Sequence, residues 1–250
     1  MTVLRGAWRV ARAIVHMLHG ALICLAVFPF LDTARRLQRV GWWNAKLLRL
    51  LGISLHTSGT PHAGATLVVS NHVSWLDILV INAVHPLRFV SKADVRHWPL
   101  IGWLVAAAGT LFIERERKRD ALRVVHQVAE ALKAGDTIAV FPEGTTSDGR
   151  GVLPFHANLL QAAIVTGTPI QPIALRFADA AHAVSPAAAY IGDTTLLQSL
   201  WAIVTATRMS ASVTWLAPEA SAQAERRALG ETLHGRIADA LGVTEYRSAA

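Results

Sequence analysis

Thr66-Leu-Val-Val-Ser-Asn-His-Val-Ser-Trp-Leu-Asp77 is the stretch whose reading decides the fold. Thr66 to Ser70 is a short β-rich apolar run, the pattern of a strand. Asn71 to Ser74 interrupts it, and helical apolar spacing begins near Trp75, with Ser74 placed to cap the new helix. Strand, turn and helix in succession are the unit of an α/β fold. The unit recurs downstream. Further strands are expected at 87–91, 110–113, 137–141, 170–177 and 211–216, and helices at 75–84, 99–108, 120–134, 157–166 and 220–241. The expectation is a mixed sheet flanked by helices, formed by one continuous domain over residues 56–250 that ends in an amphipathic helix.

The turn inside the opening stretch carries chemistry. His72 and Asp77 are five residues apart, and a regular helix would turn their side chains about 140° away from each other. With His72 in the turn and Asp77 in the first helical turn, the carboxylate can return to the imidazole. Asp77 then fixes the tautomer and leaves the other ring nitrogen able to take a proton. The spacing alone is weak, since 11 His and 9 Asp in 250 residues give about 0.4 matches by chance. A second match, His234 to Asp239, lies among Leu229, Leu233, Ile237 and Leu241 at intervals of four. It reads as the middle of a helix and is a decoy.

Composition separates the first fifth of the chain from the rest. Residues 1–50 carry eight Lys/Arg and one acid, while the other 200 residues carry sixteen of each sign, so the whole formal charge of +7 belongs to the N-terminal fifth. The same fifth holds the apolar run Ile14 to Leu31, and after it Trp42, Trp43 and several leucines interleave with Arg39, Lys46 and Arg49. Aromatic and basic mixing of this kind suits helices lying in the headgroup region of an anionic leaflet. Residues 1–55 are therefore expected to form a membrane-docking helical pair. The surroundings of the arginines are too apolar for a nucleic-acid patch, and Leu31-Asp32-Thr33-Ala34 is a poor signal-peptide cleavage site. Cys24 is the single cysteine, which excludes an intrachain disulfide and a Cys-rich metal site.

A second turn follows the strand expected at 137–141: Phe141-Pro-Glu-Gly-Thr-Thr-Ser147 brings a carboxylate, a glycine and three hydroxyls together. Two weaker segments are Gly109 to Arg115, where an apolar run ends in a guanidinium suited to phosphate, and Thr166 to Leu175, which taken alone is structural.

Taken in order, Asn71-His72-x-x-x-x-Asp77, Phe112-Ile113-Glu114-Arg115, Phe141 to Ser147 and Thr168 to Pro172 resemble the four blocks of the glycerolipid acyltransferase family, whose best-known members are the lysophosphatidate acyltransferases. The resemblance covers roughly residues 42–177. It departs from the family pattern at Thr146, often a basic residue, and at Glu114, often Asp.

The resemblance implies acyl transfer from an acyl-CoA or acyl carrier protein thioester to the sn-2 hydroxyl of 1-acyl-glycerol-3-phosphate, with a lysolipid such as lyso-ornithine lipid as the alternative acceptor. It implies His72 as general base, with Asp77 orienting it. Arg115 and the hydroxyls and N–H groups of Gly144, Thr145, Thr146 and Ser147 would bind the acceptor phosphate. Glu143 would accept from a glycerol hydroxyl or organise the turn, and Lys92 would make a further phosphate or carrier contact. Neither a cofactor nor a metal is expected. The partners are membrane lipid and the thioester carrier, without nucleic acid, and the location is the cytoplasmic face of the inner membrane. A lipid hydrolase is disfavoured by the lack of a Gly-x-Ser-x-Gly elbow. A non-catalytic lipid-binding protein is the rival of another class.

Overall fold

The computed structural model describes residues 2–113 and 118–243. Their strands are β1 (Ser54–Ser58), β2 (Thr66–Ser70), β3 (Arg88–Lys92), β4 (Leu111–Ile113), β5 (Thr137–Val140), β6 (Ile170–Ala178) and β7 (Ser210–Trp215). They form one sheet in the order β1-β7-β6-β2-β5-β3-β4. Every pairing is parallel except β6 with β7, so β1 and β7 run against the other five. The helices are α1 (Thr2–Ala26), α2 (Thr33–Leu51), α3 (Leu76–Val84), α4 (Ile101–Ala107), α5 (Lys118–Lys133), α6 (Leu160–Thr166), α7 (Leu196–Thr205) and α8 (Arg226–Leu241).

Strict alternation along the central strands sorts two cores. Val68 and Ala139 point to a layer that contains Leu48 and Leu51 of α2, Leu76 and Val80 of α3 and Ile203 of α7. Leu67, Val69, Ile138 and Val140 point the other way, to Val128 of α5, Leu160 of α6 and Leu233 of α8. β2 is buried along its whole length, as a central parallel strand covered on both faces must be.

The chain leaves β2 through α3 on one face and leaves β5 through α6 on the other, toward opposite sides of the sheet. Adjacent strands whose crossovers diverge open a crevice at their carboxyl ends, where open α/β sheets bind ligands. His72 follows β2 and the Phe141 turn follows β5, so both stand at that crevice.

Two elements differ from the sequence expectation, and so does one cap. β1 was not expected, its first two residues falling in the N-terminal helical pair, but Gly52 ends α2 in the left-handed region (φ 83°) and the chain turns into a strand at the sheet edge. α7 was not anticipated. Ser74 does not cap α3: its buried hydroxyl has no partner among the described residues, and α3 has no side-chain cap; Asp77 in its first turn instead reaches back to accept from the Val73 and Ser74 N–H groups ahead of the helix. A carboxylate at the positive end of a helix is the stronger acceptor there.

The N-terminal helices divide their surfaces unusually. α1 buries Gly6, Ala13, His16 and Gly20 and exposes Leu4, Trp8, Val15, Leu18, Leu22 and Leu25, the last two at 60% and 65%. It is long and apolar enough to cross a membrane, and only 17% of its most apolar window is buried. α2 is different. Its Leu47, Leu48 and Leu51 belong to the core, and the 55/56 boundary falls inside β1. α4 buries only Gly102.

Candidate active site

The histidine turn is assembled by one carboxylate. Asp77 is fully buried, and its Oδ2 accepts from His72 Nδ1 at 2.7 Å, from the Val73 N–H at 2.7 Å and from the Ser74 N–H at 3.0 Å. The turn is thus wound around the same oxygen that orients the ring. The His72 ring lies on Phe141, with centroids 4.0 Å apart and planes 12° apart, which fixes its second axis. With Nδ1 donating to Asp77, Nε2 is the basic nitrogen, and no described residue bonds it.

The Phe141 turn holds the main chain of His72 at both ends. Glu143 Oε1 accepts the His72 N–H at 2.7 Å, and its Oε2 accepts the Leu153 N–H at 3.0 Å. On the other side, the His72 carbonyl accepts from the Ser147 N–H at 2.8 Å and from the Ser147 hydroxyl at 3.2 Å. Gly144 makes the bend possible at φ 73°, a conformation that L side chains resist. Burial pushes the Glu143 carboxyl up to about 8; the nearby Asp77 charge adds to the effect, and the two N–H bonds oppose it. Glu143 is therefore mostly protonated at neutral pH.

Asn71 completes the frame. Where the main chain of β2 turns away, its side chain continues the ladder, donating to the Leu175 carbonyl at 3.0 Å and accepting the Leu175 N–H at 2.8 Å. Asn71 opens the first block, but nothing in the sequence pattern assigned it a role of its own.

The structure thus gathers His72, Asp77, Glu143 and Ser147 into one bonded unit. Thr146 donates to the Tyr190 carbonyl, and Tyr190 in turn donates its N–H to the Val73 carbonyl at 3.1 Å. The loop between β6 and α7 is therefore tied to both turns. Thr145 is exposed. Lys92 is exposed at the carboxyl end of β3, on the same sheet edge as His72 with β5 between. Arg115 and Glu114 lie outside the described residues. The fourth segment is at the opposite edge: Gln171 is buried and ties Thr60, His62 and Leu216 together, a structural role. The decoy His234 is buried in α8 and bonds the Val152 carbonyl at 3.1 Å.

Residues 53–176 match the family model described as Acyltransferase. The chain is 38% identical over 199 residues to the lyso-ornithine lipid O-acyltransferase of Pseudomonas aeruginosa, an alignment covering 79% of this chain and 76% of that one. It is 36% identical over 177 residues to the 1-acyl-sn-glycerol-3-phosphate acyltransferase of Neisseria meningitidis, covering 71% and 69%. The crystal structure of the 1-acyl-sn-glycerophosphate acyltransferase of Thermotoga maritima has the same fold, with a TM-score of 0.74, 20% identity and 98% of each chain covered. The chain belongs to the acyltransferase family. Within that family it is an O-acyltransferase, similar both to enzymes named for lysophosphatidate and to enzymes named for lyso-ornithine lipid.

Proposed function

We propose that the protein transfers a fatty acyl group from an acyl-CoA or acyl carrier protein thioester to a lysolipid hydroxyl at the cytoplasmic face of the inner membrane. The observation that carries this is the His72–Asp77 pair at 2.7 Å, with Nε2 of the stacked ring left basic at the crevice. His72 Nε2 takes the alcohol proton as the oxygen attacks the thioester carbonyl. The C–S bond then breaks, and the imidazolium returns the proton to the departing thiolate. Asp77 stabilises the imidazolium between these steps. The thioester is already activated, so no acyl-enzyme intermediate is needed. Glu143 and Ser147 support the reaction by holding the His72 main chain.

Lysophosphatidate is the acceptor implied by the four blocks, with phosphatidate as product. Lyso-ornithine lipid is the second reading, and one observation favours it: Thr146 stands where the family often carries a basic residue, and its hydroxyl is given to the Tyr190 carbonyl. The test is transfer of labelled acyl groups from both thioesters to a panel of lysolipids, comparing wild type with His72→Ala. Loss of transfer by a factor of about 10² to 10⁴ in the variant supports the reading. Transfer that does not depend on His72 refutes it.

A further inference from the structure

Between the β6–α7 loop and α7 lies an open cleft of about 580 Å³, lined among others by Pro186, Ala189, Asp193, Thr194, Gln198 and Ser199. The cleft adjoins the histidine turn. Ser199 on its wall accepts a hydrogen bond from Trp75 Nε1 at 3.0 Å, and Ala189 precedes Tyr190, whose main chain is bonded to Val73 and Thr146. Among the described residues no basic side chain lines it. Asp193 supplies its only charge among the described residues, and no described cation is within ion-pair distance of that carboxylate. The start of α7 is closed to anions by a capping box, in which Gln198 Oε1 accepts from the Thr195 N–H and the Thr195 hydroxyl accepts from the Gln198 N–H. On the other flank of α7, Val10 and Ile14 of α1 face Leu200 and Trp201 across an apolar groove of about 410 Å³.

We propose that the cleft is the acceptor-headgroup subsite and takes an amine-bearing, zwitterionic headgroup, with Asp193 as counter-ion to the ammonium. A phosphomonoester finds no cation there, and its charge would be repelled by Asp193. An ammonium finds a carboxylate, while the Thr194 hydroxyl serves a remaining polar atom of the headgroup. The proposal rests on the acyl-transfer reading above and narrows its acceptor.

The test uses the full chain in mixed micelles with labelled acyl thioester, and lyso-ornithine lipid and lysophosphatidate as alternative acceptors. Wild type, Asp193→Asn and Asp193→Lys are compared. The expected result is that Asp193→Asn raises KM for lyso-ornithine lipid about tenfold or more with kcat within about twofold, and leaves lysophosphatidate unaffected. Asp193→Lys moves the preference toward lysophosphatidate. The subsite is overturned if wild type uses lysophosphatidate alone, or if the Asp193 variants change both acceptors equally or neither. Should no His72-dependent transfer to any acceptor occur, the acyl-transfer reading falls. The subsite then stands or falls on direct binding, in which Asp193→Asn must weaken association with lyso-ornithine lipid and not with lysophosphatidate.

Discussion

Glu143 holds the N–H of His72 with a carboxyl that is only 3% exposed and whose pKa is raised from 4.5 to about 8. Between those two values the folded chain keeps a proton that the unfolded chain has released. Stability must therefore fall as pH rises from about 4.5 to 8 and level off above, by at most ~5 kcal/mol from this group. Thermal unfolding of wild type should show that decline, and Glu143→Gln should flatten it. The amide variant will start less stable by about 1 to 3 kcal/mol, because it turns an N–H group toward a donor. Asp77 gives the complementary case. Asp77→Asn can keep an acceptor for the turn but loses the charge that stabilises an imidazolium. It should remain folded by circular dichroism while kcat falls at least about a hundredfold. The pairing of His72 with Asp77 was legible because both are side chains five residues apart across a recognisable strand–turn–helix junction. The Glu143 and Ser147 bonds were not legible, because their partners are the main-chain groups of a residue about 70 positions away, and main chain leaves no trace in a side-chain pattern.

Among the elements, α2 and α3 meet where Gly41 has no side chain. A Cβ there would lie 2.4 Å from Pro86 Cγ and 3.1 Å from the Asn82 carbonyl, which a helix backbone cannot withdraw. Gly41→Ala should cost about 1 to 3 kcal/mol in denaturant unfolding. Gly235 in α8 is the control, since a Cβ there meets nothing within 4 Å, and Gly235→Ala should add about 0.5 to 1 kcal/mol through helix propensity. The six strands read from the sequence all form, because apolar alternation between two covered faces is written in residue type. β1 was missed because Ser54–Ser58 is an edge strand with mostly exposed side chains, so burial imposes no pattern on it. α7 had a signal that could have revealed it: Thr195 with Gln198 three residues on is a capping box ahead of an apolar run.

At the scale of the whole molecule, the proposed membrane association and the folding rest on different surfaces of the same segment. Replacing Leu18, Leu22 and Leu25 of α1 by serine should move the protein from the membrane pellet toward the soluble fraction and leave its melting temperature within a few degrees of wild type, since all three are more than half exposed. Deleting residues 1–55 is a poorer test, because it removes Leu47, Leu48 and Leu51 from the core together with the docking face. The clamp between α1 and α7 adds a matter of timing. Arg9 donates to the Val204 carbonyl at 2.8 Å and Arg5 to the Thr205 carbonyl at 2.9 Å, each guanidinium closing the carbonyl end of a helix made some 200 residues later. At about 5 to 20 residues per second, a ribosome needs roughly 10 to 40 s to cover that distance. Throughout that interval the arginines of α1 lack the carbonyls of α7 as partners. If α1 docks on lipid as proposed, it is able to do so before the sheet closes.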